Sequence, residues 1–233
     1  MLAIIQARMS SKRLPGKSLM ILKNQTILKR VIQQVKKSKI VKKIVVATSK
    51  NNKDKAILKF CKREKVECYA GNLNNVVSRF NYIVKRNSYP AFLRVCADSP
   101  FLDSKLIDKF ITIFKKNNFD ILTNVQKRSF PKGQSIEIFG SSFFLKNYKM
   151  IKSKKDKEHV TTYFYKNSKL FNIKNITNKK NLSSINMSID TMKDFLIAET
   201  LLKNSEFKKK YISWKKIVSI YKKINSKFYL IKA

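Results

Sequence analysis

Short β-branched runs alternate with amphipathic helical stretches through the first half of this chain, and no other feature restricts its fold as tightly. LAIIQ (2–6) is an apolar run suited to a strand buried on both faces. A basic loop follows, and Thr26 stands where it can cap ILKRVIQQVKKS, whose Ile27, Val31 and Val35 share one helical face. KIVVATS (43–49) reads as the next strand, Asp54 as the cap of the helix KAILKFCKREK, VECYA as a strand and NNVVSRFNYIVKR as a helix. AFLRVCA (91–97) is a strand that ends at Asp98. LIDKFITIFKKN is a helix with Asp103 as its natural cap, and FDILTNV is a further strand. Strand, loop and helix repeated four times predict a parallel sheet covered by helices.

After residue 125 the rhythm changes. QSIEIF (134–139) alternates like a strand, helical stretches fall near 141–150 and 156–166, and LFNIKNI and SINMSI look like further strands. Helices near 192–203 and 213–225 close the chain. With no linker or fixed-period repeat in sight, one α/β domain over residues 1–233 with a mixed sheet is expected, and 233 residues suffice for its core.

Composition tests what such a domain meets. Lys+Arg is 52 against 14 Asp+Glu, a formal net charge of +38, which on its own points to nucleic acid or an anionic membrane surface. The lysines are spread along the whole chain, however, and fall at predicted helix ends and polar faces. Phe60, Phe80 and Phe110 sit at apolar helix positions, whereas a single-strand binder needs exposed aromatics for stacking. The expectation is therefore no specific nucleic acid, only salt-sensitive adhesion to polyanions. Three cysteines without CxxC spacing suggest reduced structural thiols. The apolar start is too short for a signal peptide and nothing approaches a membrane span, so the expected setting is cytoplasmic.

With only four glycines and four prolines in the chain, Pro15–Gly16 and the Pro131/Gly133 pair mark places of special backbone. The first lies in IIQARMSSKRLPGKSL (4–19), a strand that runs into Arg8, Arg13, Gly16 and Lys17. A strand to the sheet's carboxyl edge, a glycine and cations are what a phosphate loop needs. Gly16–Lys17–Ser18 fits the tail of a Walker A loop, but Ser11 stands at the position of the earlier glycine and Pro15 is inserted, which argues against that type of ATPase. A basic surface loop remains the alternative on composition alone.

QARMSSKRLPGKSL resembles the N-terminal signature of the cytidylyltransferases that activate sugars. It is closest to the spore-coat polysaccharide branch and similar to the 3-deoxy-manno-octulosonate and acylneuraminate cytidylyltransferases. VVATS (45–49), AGNLNNVVSRF (70–80), RVCADSPFLD (94–103), FPKGQSIEIF (130–139), EHVTTYF (158–164) and IDTMKD (189–194) follow in the expected order. The resemblance implies a three-layer α/β/α sandwich with a mostly parallel mixed sheet, of the nucleotide-diphospho-sugar transferase type. It implies transfer of CMP from CTP to a sugar or sugar acid with release of pyrophosphate, in surface polysaccharide or glycoconjugate biosynthesis. It also implies Mg²⁺ as cofactor and a homodimer.

Residue by residue, the resemblance places Ala7, Arg8, Ser10, Ser11, Arg13, Gly16, Lys17 and Arg79 at the nucleotide. Arg94, Gly133, Glu137, Glu158 and His159 go to the sugar side of the cleft or, for 158–161, a subunit contact. Asp98 and Asp190 become the metal ligands and, with Arg8 and Lys17, the catalytic set; Asp194 would orient Asp190. The residues themselves are compatible with this: Asp98 turns at the sheet's carboxyl edge before Ser99–Pro100, where a carboxylate can meet a hard cation. Where the octulosonate enzymes carry Gln-Gly-Asp, this chain has Cys96–Ala97–Asp98. Three rivals stay open: a glycosyltransferase of similar fold that uses a finished nucleotide-sugar, a basic nucleic-acid-binding protein, and an enzyme-derived subunit that has lost activity.

Overall fold

The computed structural model describes residues 1–230, so the last three positions of the expected domain lie outside it. Strand β1 (Leu2–Gln6) is followed by the basic loop and a two-residue ladder of β2 (Ile21–Leu22) with β3 (Gln25–Thr26). Then come α1 (Ile27–Lys36), β4 (Lys43–Ser49), α2 (Lys55–Arg63), β5 (Glu67–Gly71), α3 (Val76–Arg86), β6 (Ala91–Cys96) and α4 (Ser104–Lys115). The second half holds β7 (Ile121–Thr123), β8 (Glu137–Gly140), α5 (Ser141–Asn147), α6 (Lys154–Glu158), α7 (Thr162–Lys166), β9 (Ile173–Asn175), α8 (Met192–Lys203) and α9 (Trp214–Leu230).

The main sheet has the order β5-β4-β1-β6-β8-β7-β9. Every neighbour pair is parallel except those made by β8, which runs antiparallel to both β6 and β7. β1 sits near the middle, paired on both sides, and its side chains alternate between two cores. Ala3 and Ile5 face a core built with α1, α2, α4, α8 and α9; Leu2 and Ile4 face another with α3, α5 and α7. Burial of an isoleucine such as Ile4 or Ile5 contributes about 1.5–3 kcal/mol, which is why a central strand reads as an unbroken apolar run. The predicted three-layer sandwich with a mostly parallel mixed sheet is the observed one. Phe60, Phe80 and Phe110 are buried in it.

Local signals held at several boundaries. Thr26 accepts a hydrogen bond from the Lys29 N–H at 3.1 Å, and Asp103 accepts from those of Lys105 and Leu106. Three expectations are corrected. Asp54 makes no side-chain cap for α2; it is buried and holds the basic loop instead. The stretch 156–166 is two short helices broken at His159 rather than one. SINMSI is not a ladder strand: it makes an isolated bridge between Asn186 and Lys132 and backbone bonds to Lys132 and Asp98.

Candidate active site

The site grows from the end of β1. The Ala7 N–H donates to the Ala47 carbonyl at 3.1 Å, which extends the sheet by one residue before the chain leaves it. The Met9 N–H then donates to Asp54 Oδ1 at 2.7 Å, while the Ser49 hydroxyl donates to Asp54 Oδ2. The loop closes where the Gly16 N–H donates to the Met9 carbonyl at 2.8 Å, with Gly16 at φ +74 in the left-handed region. Its amide is thus spent inside the loop, and its contribution is the turn rather than an N–H aimed at a ligand. The Ser18 hydroxyl donates to the Arg8 carbonyl at 3.1 Å and ties the loop's two limbs together.

That turn delivers Lys17 to a position between two carboxylates. Lys17 Nζ lies 2.8 Å from Asp98 Oδ2, 2.9 Å from Asp190 Oδ1 and 2.9 Å from the Ile189 carbonyl. Arg13 reaches the same Asp190 oxygen at 3.1 Å. Burial works against the Lys17 charge, but the Asp98 charge and the hydrogen bonds to Asp190 and Asp98 raise its pKa above the ordinary lysine value.

Backbone pairing explains why residues so far apart in sequence meet. The Ile189 N–H donates to the Asp98 carbonyl at 2.9 Å, and the Lys132 N–H and carbonyl bond Ile185 and Met187 on the other side. Gly133 makes that approach possible: at φ +90, a Cβ there would fall 2.7 Å from the Met187 carbonyl carbon. Gly133 therefore does not line the cleft as expected for a sugar contact; it seats the segment that carries Asp190. Asp194 orients the next turn. Its Oδ2 accepts from the N–H groups of Asp190 and Thr191 at 3.0 and 2.8 Å, inside a capping box closed by Thr191.

A cleft of about 320 Å³ opens over this cluster, lined by Arg8, Ser11, Lys12, Arg13, Lys17, Asp98 and Asp190, with Gln6, Ser18, Cys96 and Ala97 completing it. At its mouth Arg8 Nη1 donates to Glu158 Oε1 at 3.1 Å, which brings α6 to the rim; that bond holds the Glu158 carboxyl below its usual range. Six expected site residues lie elsewhere. Ser10 and His159 are exposed outside the lining, because their segments turn outward there. Ala7 is buried in the sheet extension. Arg79 is buried on α3 against Gly71, its pKa lowered to about 10 by desolvation, and two of its nitrogens have no protein partner. Glu137 is 2% exposed and paired with Arg94, directly opposite it in the β6–β8 register. Arg94 and Glu137 thus stand behind the cleft rather than in it. Lys12, Gln6 and Asp54 were not singled out from the sequence; for Asp54 the signal was absorbed by its position before a helix.

Two carboxylates sharing one cation within hydrogen-bond distance are close enough to share another. Hard oxygen ligands of this kind suit Mg²⁺, which takes one or two carboxylates and fills its shell with phosphate oxygens and water. Among the described residues no group of three or more His, Cys, Asp or Glu side chains is placed to hold a metal unaided. The donor set fits a metal that arrives with a phosphorylated ligand.

Taken together, a sheet of this order with a cationic cleft and paired aspartates at its carboxyl edge defines a nucleotidyltransferase-type α/β protein. A family model described as Cytidylyltransferase matches residues 2–227, and the chain belongs to that family. It is 36% identical over 205 residues to an uncharacterized protein of Methanocaldococcus jannaschii, covering 87% of this chain and 83% of that protein. It is 26% identical over 204 residues to the spore coat polysaccharide biosynthesis protein SpsF of Bacillus subtilis, covering 83% and 82%. The solved cytidylyltransferase of Leptospira borgpetersenii superposes with a TM-score of 0.90 at 30% identity, over 96% of this chain and 94% of that one. No helix among the described residues is long and apolar enough to cross a membrane.

Proposed function

We propose that the protein transfers a cytidylyl group from CTP to a hydroxyl of a sugar or sugar acid and releases pyrophosphate, within surface polysaccharide or glycoconjugate biosynthesis. The observation that carries this reading is the Lys17 ammonium held between Asp98 and Asp190 at 2.8 and 2.9 Å, inside a cleft whose other charged lining is cationic. Lys17, Arg8 and Arg13 meet the triphosphate and neutralise the charge that develops on its oxygens. In exchange for the triphosphate, Lys17 gives up its carboxylates. Asp98 and Asp190 would hold Mg²⁺, which when bound would supply Lewis-acid stabilisation of the phosphoryl oxygens.

The acceptor's hydroxyl oxygen forms a bond to the α-phosphorus in line as the bond from that phosphorus to the bridging oxygen breaks. Pyrophosphate departs and the hydroxyl proton is released to solvent. Ser11 stands by the cleft as a hydroxyl contact, while Asp54 and Gly16 keep the loop in shape. Homodimer formation and a cytoplasmic setting belong to the same proposal. A free triphosphate, rather than a finished nucleotide-sugar, accounts for the density of cations on the loop.

The test is pyrophosphate release with each of the four nucleoside triphosphates, Mg²⁺ and a panel of sugar acids that includes 3-deoxy-manno-octulosonate and an acylneuraminate. Release is expected with CTP alone, abolished in Asp98→Asn and strongly reduced in Lys17→Ala. Unchanged release by the Asp98 variant would remove the metal assignment, and salt-resistant binding of nucleic acid would favour the other class of protein.

A further inference from the structure

One side chain in the cleft has its chemistry decided by a partner that lies outside it. Gln6, the last residue of β1, is the register partner of Cys96 on β6 and lines the cleft beside it. Arg94 Nη2 donates to the Gln6 amide oxygen at 3.2 Å. A guanidinium carries donors only, so the amide cannot be reversed: its oxygen must face Arg94 and its NH₂ must face away. Among the described residues, no protein acceptor takes that NH₂.

Arg94 is itself held. It is paired with Glu137, whose other carboxylate oxygen accepts from the Tyr165 hydroxyl at 2.6 Å, and Tyr165 also lies 2.9 Å from the Thr123 hydroxyl. Four side chains from α7, β8, β6 and β1 thus form a fixed chain of hydrogen bonds that ends in two unclaimed N–H donors. Cys96 lines the cleft beside Gln6, whereas the cleft's basic residues, Arg8, Lys12, Arg13 and Lys17, all lie on the loop. The sheet order fixes which end is free: the oxygen is turned toward the β6–β8 side by Arg94, and the NH₂ is the end left to the cleft.

We propose that Gln6 is a specificity-determining residue for the acceptor, donating from its amide to an uncharged oxygen of the sugar, a hydroxyl or the ring oxygen, while the cationic loop takes the triphosphate. The proposal deepens the cytidylyl-transfer reading and rests on it. Arg94, Glu137 and Tyr165 are positioning residues in this arrangement. Gln6→Met removes the donor at similar volume, and Gln6→Glu offers the cleft only acceptors while still pairing with Arg94.

The experiment measures KM for CTP and for the sugar acid that the wild type turns over fastest from the panel. Both variants are expected to raise the sugar KM by about tenfold, the equivalent of one lost hydrogen bond, with CTP KM within about twofold of wild type. An unchanged CTP KM also shows that the variant is folded. Should Gln6→Met not fold, Gln6→Asn, which withdraws the amide from the cleft, carries the same comparison. A sugar KM that does not move, or a rise confined to CTP, overturns the assignment while cytidylyl transfer stands. Absence of release by the wild type with every sugar acid would bring down both readings.

Discussion

Two ionic clusters share strand β6, Asp98 just past its end and Arg94 within it, and they differ in one respect. In the first, Lys17 bridges Asp98 and Asp190, whose side chains are 24% and 28% exposed. In the second, Arg94 and Glu137 are 15% and 2% exposed, and Glu137 has a further hydrogen bond from Tyr165. The two cations are alike, Lys17 being 12% exposed, so the contrast lies in the carboxylates: partly hydrated Asp98 and Asp190 can exchange partners when a triphosphate and a cation arrive, because water covers the intermediate states. A buried pair cannot, since separating it strands a charge in a medium that does not solvate it. The wet cluster suits chemistry and the dry one suits holding something still.

Breaking each cluster should expose that difference. The largest effect on stability is expected from Glu137→Leu, which leaves Arg94 buried without its counter-charge. A loss of about 3–5 kcal/mol follows, read as a fall in melting temperature of roughly 6–20 °C for a chain of this size. Asp98→Asn should cost no more than about 1 kcal/mol, because Lys17 keeps Asp190 and water replaces the lost contact. If the two variants melt together, the distinction between the clusters is wrong.

The smallest effect belongs to Arg8 and Glu158 at the rim, whose side chains are 38% and 43% exposed. Glu158→Gln should change stability by about 0.5 kcal/mol or less at neutral pH in low salt. The sign is fixed by the depressed Glu158 pKa. Its contribution is present above the unfolded glutamate value of about 4.3 and is lost as pH falls through the lower folded value. Thermal melts of wild type and variant at neutral and acid pH should therefore converge in acid, and also at high salt.

The same contrast explains what could be read in the sequence. β1, β4, α1 and the Thr26 and Asp103 caps were legible because each is decided by a few adjacent residues: an apolar run, a period of 3.6, a hydroxyl or carboxylate just before a helix. The loop of residues 8–17 was legible through its motif. SINMSI misled because its alternation is real while its backbone is used to pin Asp190 beside Asp98 instead of extending the ladder. Asp54 sits where a helix cap would sit, and nothing local says that Met9, from a distant segment, will claim its carboxylate. Gln6, Arg94 and Tyr165 meet only through the sheet order, and no spacing within any one of their segments announces it.

Lys17, Asp98 and Asp190 should converge on one metal–triphosphate complex, and metal binding reads that convergence. With Mn²⁺ as a paramagnetic stand-in for Mg²⁺, the free-ion resonance can be titrated against wild-type protein with and without CTP. Tight binding should require CTP and should weaken in both Asp98→Asn and Asp190→Asn. Equal, CTP-dependent binding by wild type and both variants would show that the ion sits elsewhere, and would contradict the account.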